Sequence, residues 1–280
     1  TRPLPPPPPP RLRYVLGITV SSQITGSPTE LFYLGNGGGV GGEHGARLSE
    51  VGSLVLMILL NFTRGGIANP FQDIFSGFGE MSASSGGVIV APDGGVAVGF
   101  DGMYASIAST LVDDRAVLFL YSLIYSNHKF LNYVLSKSEP DVLLVPLLRL
   151  LHTSQHWQPN HKYMLLIVLL ILSHDALYCA NINTLTVTNV QSWFRDRTLG
   201  SISLGSLLVV ILIRTIHTNL RMQDAFLNSN CLAILMNLAP HLSNMHPYAA
   251  SRLVSLFELL SRRLLALSPP DGVENGWEGA

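Results

Sequence analysis

Three histidines, His152, His156 and His161, stand four and five residues apart around Trp157, and imidazoles at such intervals suggest zinc. A zinc site gathers three or four nitrogen, sulfur or carboxylate ligands on a shared surface. Here Pro159 breaks the helix between the second and third histidine, and no cysteine lies close in sequence. They read as loop histidines, and no metal site is expected. Nucleophilic catalysis finds no footing either. The nearest approach to a G-x-S-x-G elbow, Gly200-Ser201-Ile202-Ser203-Leu204-Gly205, has the wrong spacing and opens a helix. Asp113-Asp114 imitates a paired carboxylate site, but adjacent residues diverge around a helix start, so capping is the better reading. The glycine run Gly35–Gly45 lacks the Lys-Ser/Thr of a phosphate-binding loop. Asn61-Phe62-Thr63 is a formal glycosylation sequon at a helix end and is expected to be unused. No catalytic, cofactor-binding or metal-binding residue is assigned.

Composition narrows the classes further. Of 280 residues, 48% are apolar and 12% charged, with a formal net charge of -1. That charged fraction is about half the average for a soluble domain. The only lysines are Lys129, Lys137 and Lys162 and the arginines are scattered, so there is no basic patch for nucleic acid. Cys179 and Cys231 sit in apolar helical text and make no disulfide framework. They read as small buried hydrophobes in a reducing compartment. A mean hydropathy of +0.34 raises the question of a membrane. A spanning helix needs roughly 20 mostly apolar residues. The candidates, 163–173 and 202–213, are interrupted by His174-Asp175 and by Arg214, and read as buried helices. No signal peptide is visible, and a start at Thr1 without Met suggests part of a longer protein.

Stepping along the chain, residues 1–46 form a Pro/Gly-rich low-complexity linker. Pro5 to Pro10 holds a stiff polyproline helix, which SH3- or WW-type domains could also bind. Helical text begins at Ala46. Val51, Leu54, Val55, Ile58 and Leu59 make one face, and Asn61 with Arg64-Gly65-Gly66 ends it. Asn69-Pro70 opens a short helix, and 77–99 reads as a Gly/Ser-rich looped insert. Asp101 is read as a cap for the next helix, and residues 116–126 are apolar all round. Pro146 predicts a kink or a start at Val145. Thr184–Thr188 is β-branched and fits a short extended piece. The last helix, 247–267, carries Ala249, Leu253, Leu256, Phe257, Leu260 and Leu264 on one stripe, and 268–280 is a disordered tail. Two phrases echo: VLMILLNFT before Pro70-Phe71, and AILMNLA before Pro247-Tyr248. Some ten helices with short connections predict an all-α fold, specifically an armadillo- or HEAT-like α-solenoid of stacked helix pairs over 47–267.

Long ordered strings then resemble the dymeclin family: ISLGSLLVVILIRTI (202–216), LNSNCLAILMNLAPHLSNMHPYAASRLVSLFELLSRR (227–263) and KYMLLIVLLILS (162–173). Residues 104–152 and the LMILLNFT segment with Asn69-Pro70-Phe71 are similar to the family's preceding segments. The glycine-rich inserts at 35–45 and 77–99 depart from the family pattern. The resemblance implies a non-enzymatic helical-repeat protein, cytoplasmic and peripheral to the Golgi membrane, active in Golgi organisation and vesicle traffic through protein contacts. Its partners would be proteins of the trafficking machinery, with no nucleic acid, cofactor or small-molecule substrate. Some members begin with a Met-Gly myristoylation signal; no such signal is among these residues, so membrane contact would run through an N-terminus absent here. The alternative is a generic peptide-binding armadillo-like adaptor unrelated to the Golgi. Asn230 and Asn237 share a helical face and could grip a peptide, but Asn237 is better read as a helix C-cap, and there is no regular Trp ladder.

Overall fold

The computed structural model describes residues 44–62, 69–80, 88–90, 96–111, 114–153, 159–188 and 190–267. Eleven α-helices and five short strands occur among them. Contacts divide the chain into two compact units, Thr1–Tyr133 with Trp157–Met164, and Val134–His156 with Leu165–Ala280. The linker expectation for 1–46 falls almost wholly outside the described residues, as does the expected tail.

In the first unit, α1 (His44–Leu60), α2 (Pro70–Gly77) and α3 (Phe100–Thr110) all pack on α4 (Asp114–Ser126). Helix α4 buries Val117, Leu118, Leu120, Tyr121, Leu123 and Ile124. These positions wrap most of its circumference, as its nearly all-apolar sequence requires. Asparagines clip the helix ends. The Asn69 amide donates to the Leu59 and Leu60 carbonyls at the end of α1, and its Oδ1 accepts from Phe71 N–H in α2. Asn127, fully buried, repeats the device between α2 and α5 (His128–Ser136). Its amide donates to the carbonyls of Phe75 and Phe78, and its Oδ1 accepts from Phe130 N–H. One side chain thus satisfies orphan groups of two helices.

The stretch 77–99, expected as a loop, contains three strands. Antiparallel β2 (Val88–Val90) and β3 (Val96–Val98) pair as Val88↔Val98, Ile89↔Ala97 and Val90↔Val96. β1 (Gly79–Glu80) lies parallel to β3. The valines favour extended backbone, but triplets among glycines are too short to show alternation. Asp101 is also not the cap: Gly99 holds that position, and Asp101 accepts the Tyr133 hydroxyl at 2.7 Å.

In the second unit the centre is α9 (Leu204–Asn219). It packs against α6 (Asp141–Thr153), α8 (Ala176–Thr184), α10 (Ala225–Leu238) and α11 (Pro247–Leu267). Twelve of its sixteen residues are buried. Helix α6 continues without a break through Pro146, whose missing N–H leaves the carbonyl of half-exposed Val142 to other partners. α7 (Pro159–Ser173) turns into α8 through a 99° bend. Among the described residues no single helix is long and apolar enough to cross a membrane, though this bent pair passes by length and composition. The expected extended piece is β4 (Thr186–Val187), paired antiparallel with β5 (Ile202–Ser203). The two echoing phrases do share a design: each ends a helix, at Leu60 and Leu238, before a Pro opens another.

Helix α8 approaches α9 at Gly205. A Cβ there would stand 2.0 Å from Asn183 Oδ1. Gly205→Ala should therefore cost about 1–3 kcal/mol, read from the urea midpoint, and adding Asn183→Ala should recover part of it. An unchanged midpoint would show that the contact relaxes freely. Asn127→Ala should cost about 2–4 kcal/mol by stranding two carbonyls and an N–H, and Asn127→Asp at least as much, because its carboxylate keeps the cap but faces two carbonyl oxygens in a buried site.

Candidate functional site

The polar side chains that could do chemistry are mostly spent on holding helices together. At the end of α7 the Asn237 amide, from α10, donates to Ser173 Oγ at 2.9 Å. The Ser173 hydroxyl donates to Leu170 O, and the Cys179 thiol donates to Ser173 O at 3.2 Å. Asn237 is thus a bridge between helices and neither a cap nor a peptide grip. Asn230 turns back to Phe226 O within its own helix. Burial, then Asp175, pushes the Cys179 thiol up to about 11, and burial pushes Cys231 up to about 12. Both are free and buried, and neither offers a thiolate at neutral pH.

The densest titratable cluster surrounds His152. Arg214 of α9 contacts both Asp196 Oδ2 and His152 Nε2, and His152 Nε2 lies 3.8 Å from Asp196 Oδ2. Trp193 and Phe194 close over the imidazole, with ring centroids 5.5 and 5.1 Å away. A guanidinium can only donate, so Nε2 accepts and the ring proton sits on Nδ1. That Nδ1 is buried without a hydrogen-bond partner among the described residues. Burial first, then Arg214, holds the His152 pKa below the usual imidazole value, against an opposing pull from Asp196. The ring is therefore neutral at pH 7. The trio, with Trp193 and Phe194, ties the 193–196 segment to α6 and α9. His156 lies outside the described residues, and among the described residues no three metal-ligating side chains gather.

A separate groove of about 500 Å³ is lined by Asn183, Thr186, Ser201, Ser203, Asn244 and Met245, among others. Asn244 sits in left-handed backbone at φ 49°, which asparagine tolerates better than most residues. The groove's lining also includes His246, whose Nδ1 accepts from Tyr248 N–H and whose backbone N–H donates to Ser206 Oγ, so this imidazole is tied to the entrance of α11. Sequence reasoning missed this groove, because its residues come from three separate segments, 183–186, 201–203 and 243–247.

The chain matches the family described as "Dymeclin: Dyggve-Melchior-Clausen syndrome protein" over residues 13–275. The chain belongs to the dymeclin family. It is 37% identical over 227 residues to Dymeclin of Dictyostelium discoideum, covering 80% of this chain and 24% of that protein. Dymeclin of Drosophila melanogaster is 41% identical over 167 residues, which is 59% of this chain and 24% of the relative. Dymeclin of Xenopus laevis is 36% identical over 234 residues, 81% of this chain and 35% of the relative. The chain thus spans between about a quarter and a third of these dymeclins. No solved structure matches it.

For this dymeclin-family chain the neutral, buried His152 has a thermodynamic consequence. Unfolded, the ring titrates near its ordinary value; folded, it titrates lower, so the unfolded state takes up the proton first. Stability is full above about pH 6.5 and is lost as pH falls through the folded pKa. His217 is lowered by burial, then by Arg252 and Arg263, and acts in the same direction. Urea midpoints should hold from pH 8 to 7 and then decline toward pH 5.5. His152→Gln, which can still accept from Arg214, should flatten the decline. A midpoint level down to pH 5.5 contradicts the assignment.

Proposed function

We propose that this chain is a segment of a non-enzymatic, armadillo- or HEAT-like helical scaffold that serves Golgi organisation and vesicle traffic through protein contacts at the membrane surface. Membership of the dymeclin family carries the reading. The chemistry of the helices supports it. The buried Asn127, Ser173 and Asn183 and the half-buried Asn69 and Asn237 hydrogen-bond helix to helix or within their own helix. The titratable trio of His152, Asp196 and Arg214 likewise anchors a loop. A fold that spends its polar groups this way offers surfaces and not reaction centres, and in stacked-helix proteins such surfaces bind partners.

The reading places the protein in the cytoplasm against Golgi membranes, with trafficking proteins as partners. Recombinant protein should be retained on purified Golgi membranes several-fold above an inert helical-repeat protein of similar size. Protease treatment of the membranes should abolish the retention, because the contact is with protein. Retention equal to the inert control would overturn the proposal.

A further inference from the structure

Helices α10 and α11 both pack on α9, and each carries more apolar surface than α9 covers. In α11, Ala249 and Leu256 are buried, with Leu253 and Leu260 half-buried beside them. Successive helical residues turn roughly 100°. Val254, Phe257 and Leu265 therefore fall on an arc directly beside that buried stripe, with Ser261 in its middle. They are 58%, 71% and 73% exposed. Of the expected single stripe, Ala249 and Leu256 are buried while Phe257 and the 68%-exposed Leu264 stand in water, so it divides into a covered stripe and an exposed one. Helix α10 repeats the pattern. It buries Leu227, Cys231, Ile234, Leu235 and Leu238, and leaves Leu232 and the 73%-exposed Met236 one turn apart on the neighbouring arc.

A stack of helices that ends in solvent needs a terminal pair with a polar outer face. The outer face of these two helices is polar only in part: Ser251, Ser255, Glu258 and Arg262 of α11 are exposed, but so are the apolar side chains just named. We propose that the second stripes of α10 and α11 are the docking surface for a further amphipathic helix pair of the same stack, supplied by the part of the longer dymeclin polypeptides that this chain does not match. The proposal rests on the stacked-helix reading given above. Length supports it: the matched region is 24% of two relatives and 35% of a third.

Charge and area decide against other occupants. A helix that lies on anionic lipid carries its basic groups around the rim of the apolar face. On α11 the rotation sets Arg252 and Arg263 across the buried stripe from Phe257, and the charges nearest the exposed arc, Glu258 and Arg262, pair with each other at 3.9 Å, so that edge carries no net positive charge. A second copy is disfavoured by area. A stripe of three large side chains offers a few hundred Å², against about 800 Å² per partner in a stable dimer. A segment joined covalently needs less area, because tethering supplies an effective concentration of order millimolar.

The test mixes this chain with recombinant Xenopus laevis dymeclin from which the matched region has been deleted, and follows amide exchange across 250–266. Docking should slow exchange there at least tenfold. Phe257→Asp with Leu265→Asp should abolish the slowing while leaving the urea midpoint of the chain alone unchanged, because both side chains are exposed. Arg252→Gln with Arg263→Gln should dock normally. The proposal is overturned by unchanged exchange, by equal slowing in the Asp variant, by self-association of the chain that protects the same residues, or by equal protection from phosphatidylserine vesicles alone. Failure to be retained on Golgi membranes would refute the cellular role and leave this result standing.

Discussion

One helix that water scarcely reaches organises the second unit. Leu204–Asn219 is apolar around most of its circumference, so burying it requires neighbours on every side, and α6, α8, α10 and α11 are those neighbours. Such burial is stable only if the polar groups at both ends of the helix are satisfied. At the start, Ser203 accepts from Ser206 N–H, and its hydroxyl donates to Ser206 Oγ. Ser206 Oγ in turn accepts from His246 N–H, at the entrance of α11. At the end, the Asn219 amide donates to Asp224 O and Asn228 Oδ1, while Asp224 caps α10 through Leu227 N–H. Satisfying the ends of α9 therefore sets where the next two helices begin. Close approach on a fourth side depends on the missing Cβ at Gly205.

The first unit reaches order by a similar rule with different residues. Asn69 and Asn127 each join the last carbonyls of one helix to the first N–H groups of another. Asparagine suits the task because one side chain holds both a donor pair and an acceptor. Serine can cap the following helix, but it lacks the second donor needed to hold two carbonyls of the preceding one. Aromatic edges fill the space around the second clip, with Phe100 and Phe130 in edge-to-face contact at 5.4 Å.

Much of this was legible in sequence, for identifiable reasons. The all-α class, the start of α11 at Pro247 and the burial of 204–213 followed from apolar runs bounded by Pro, Asp and Ser. What escaped depends on distant partners. Asn237 looks like a cap from its own neighbours and becomes a bridge only because Ser173, sixty-four residues earlier, lies beside it. The strands of 77–99 were hidden because three residues give no period to read. Phe257 was assigned to the core because periodicity tells which residues share a side of a helix, not how wide an arc its neighbours cover. His152 was weighed against other histidines, whereas its real partners, Asp196 and Arg214, carry no local signal linking them to it.

The same distinction bears on the composition. A charged fraction of 12% with a mean hydropathy of +0.34 would ordinarily point to a membrane, yet no single described helix is fit to span one. Part of the excess is consumed by α9, whose interior position demands apolar residues all round. Another part stands on α10 and α11 as stripes in water, which is a poor arrangement for an isolated domain and a natural one for an internal layer of a longer stack. An internal layer needs apolar surface toward the helices on both sides, and so carries fewer charges than a domain that ends in solvent. Under the stacked-helix proposal, the low charge would be a property of position within a larger helical array, where protein covers protein.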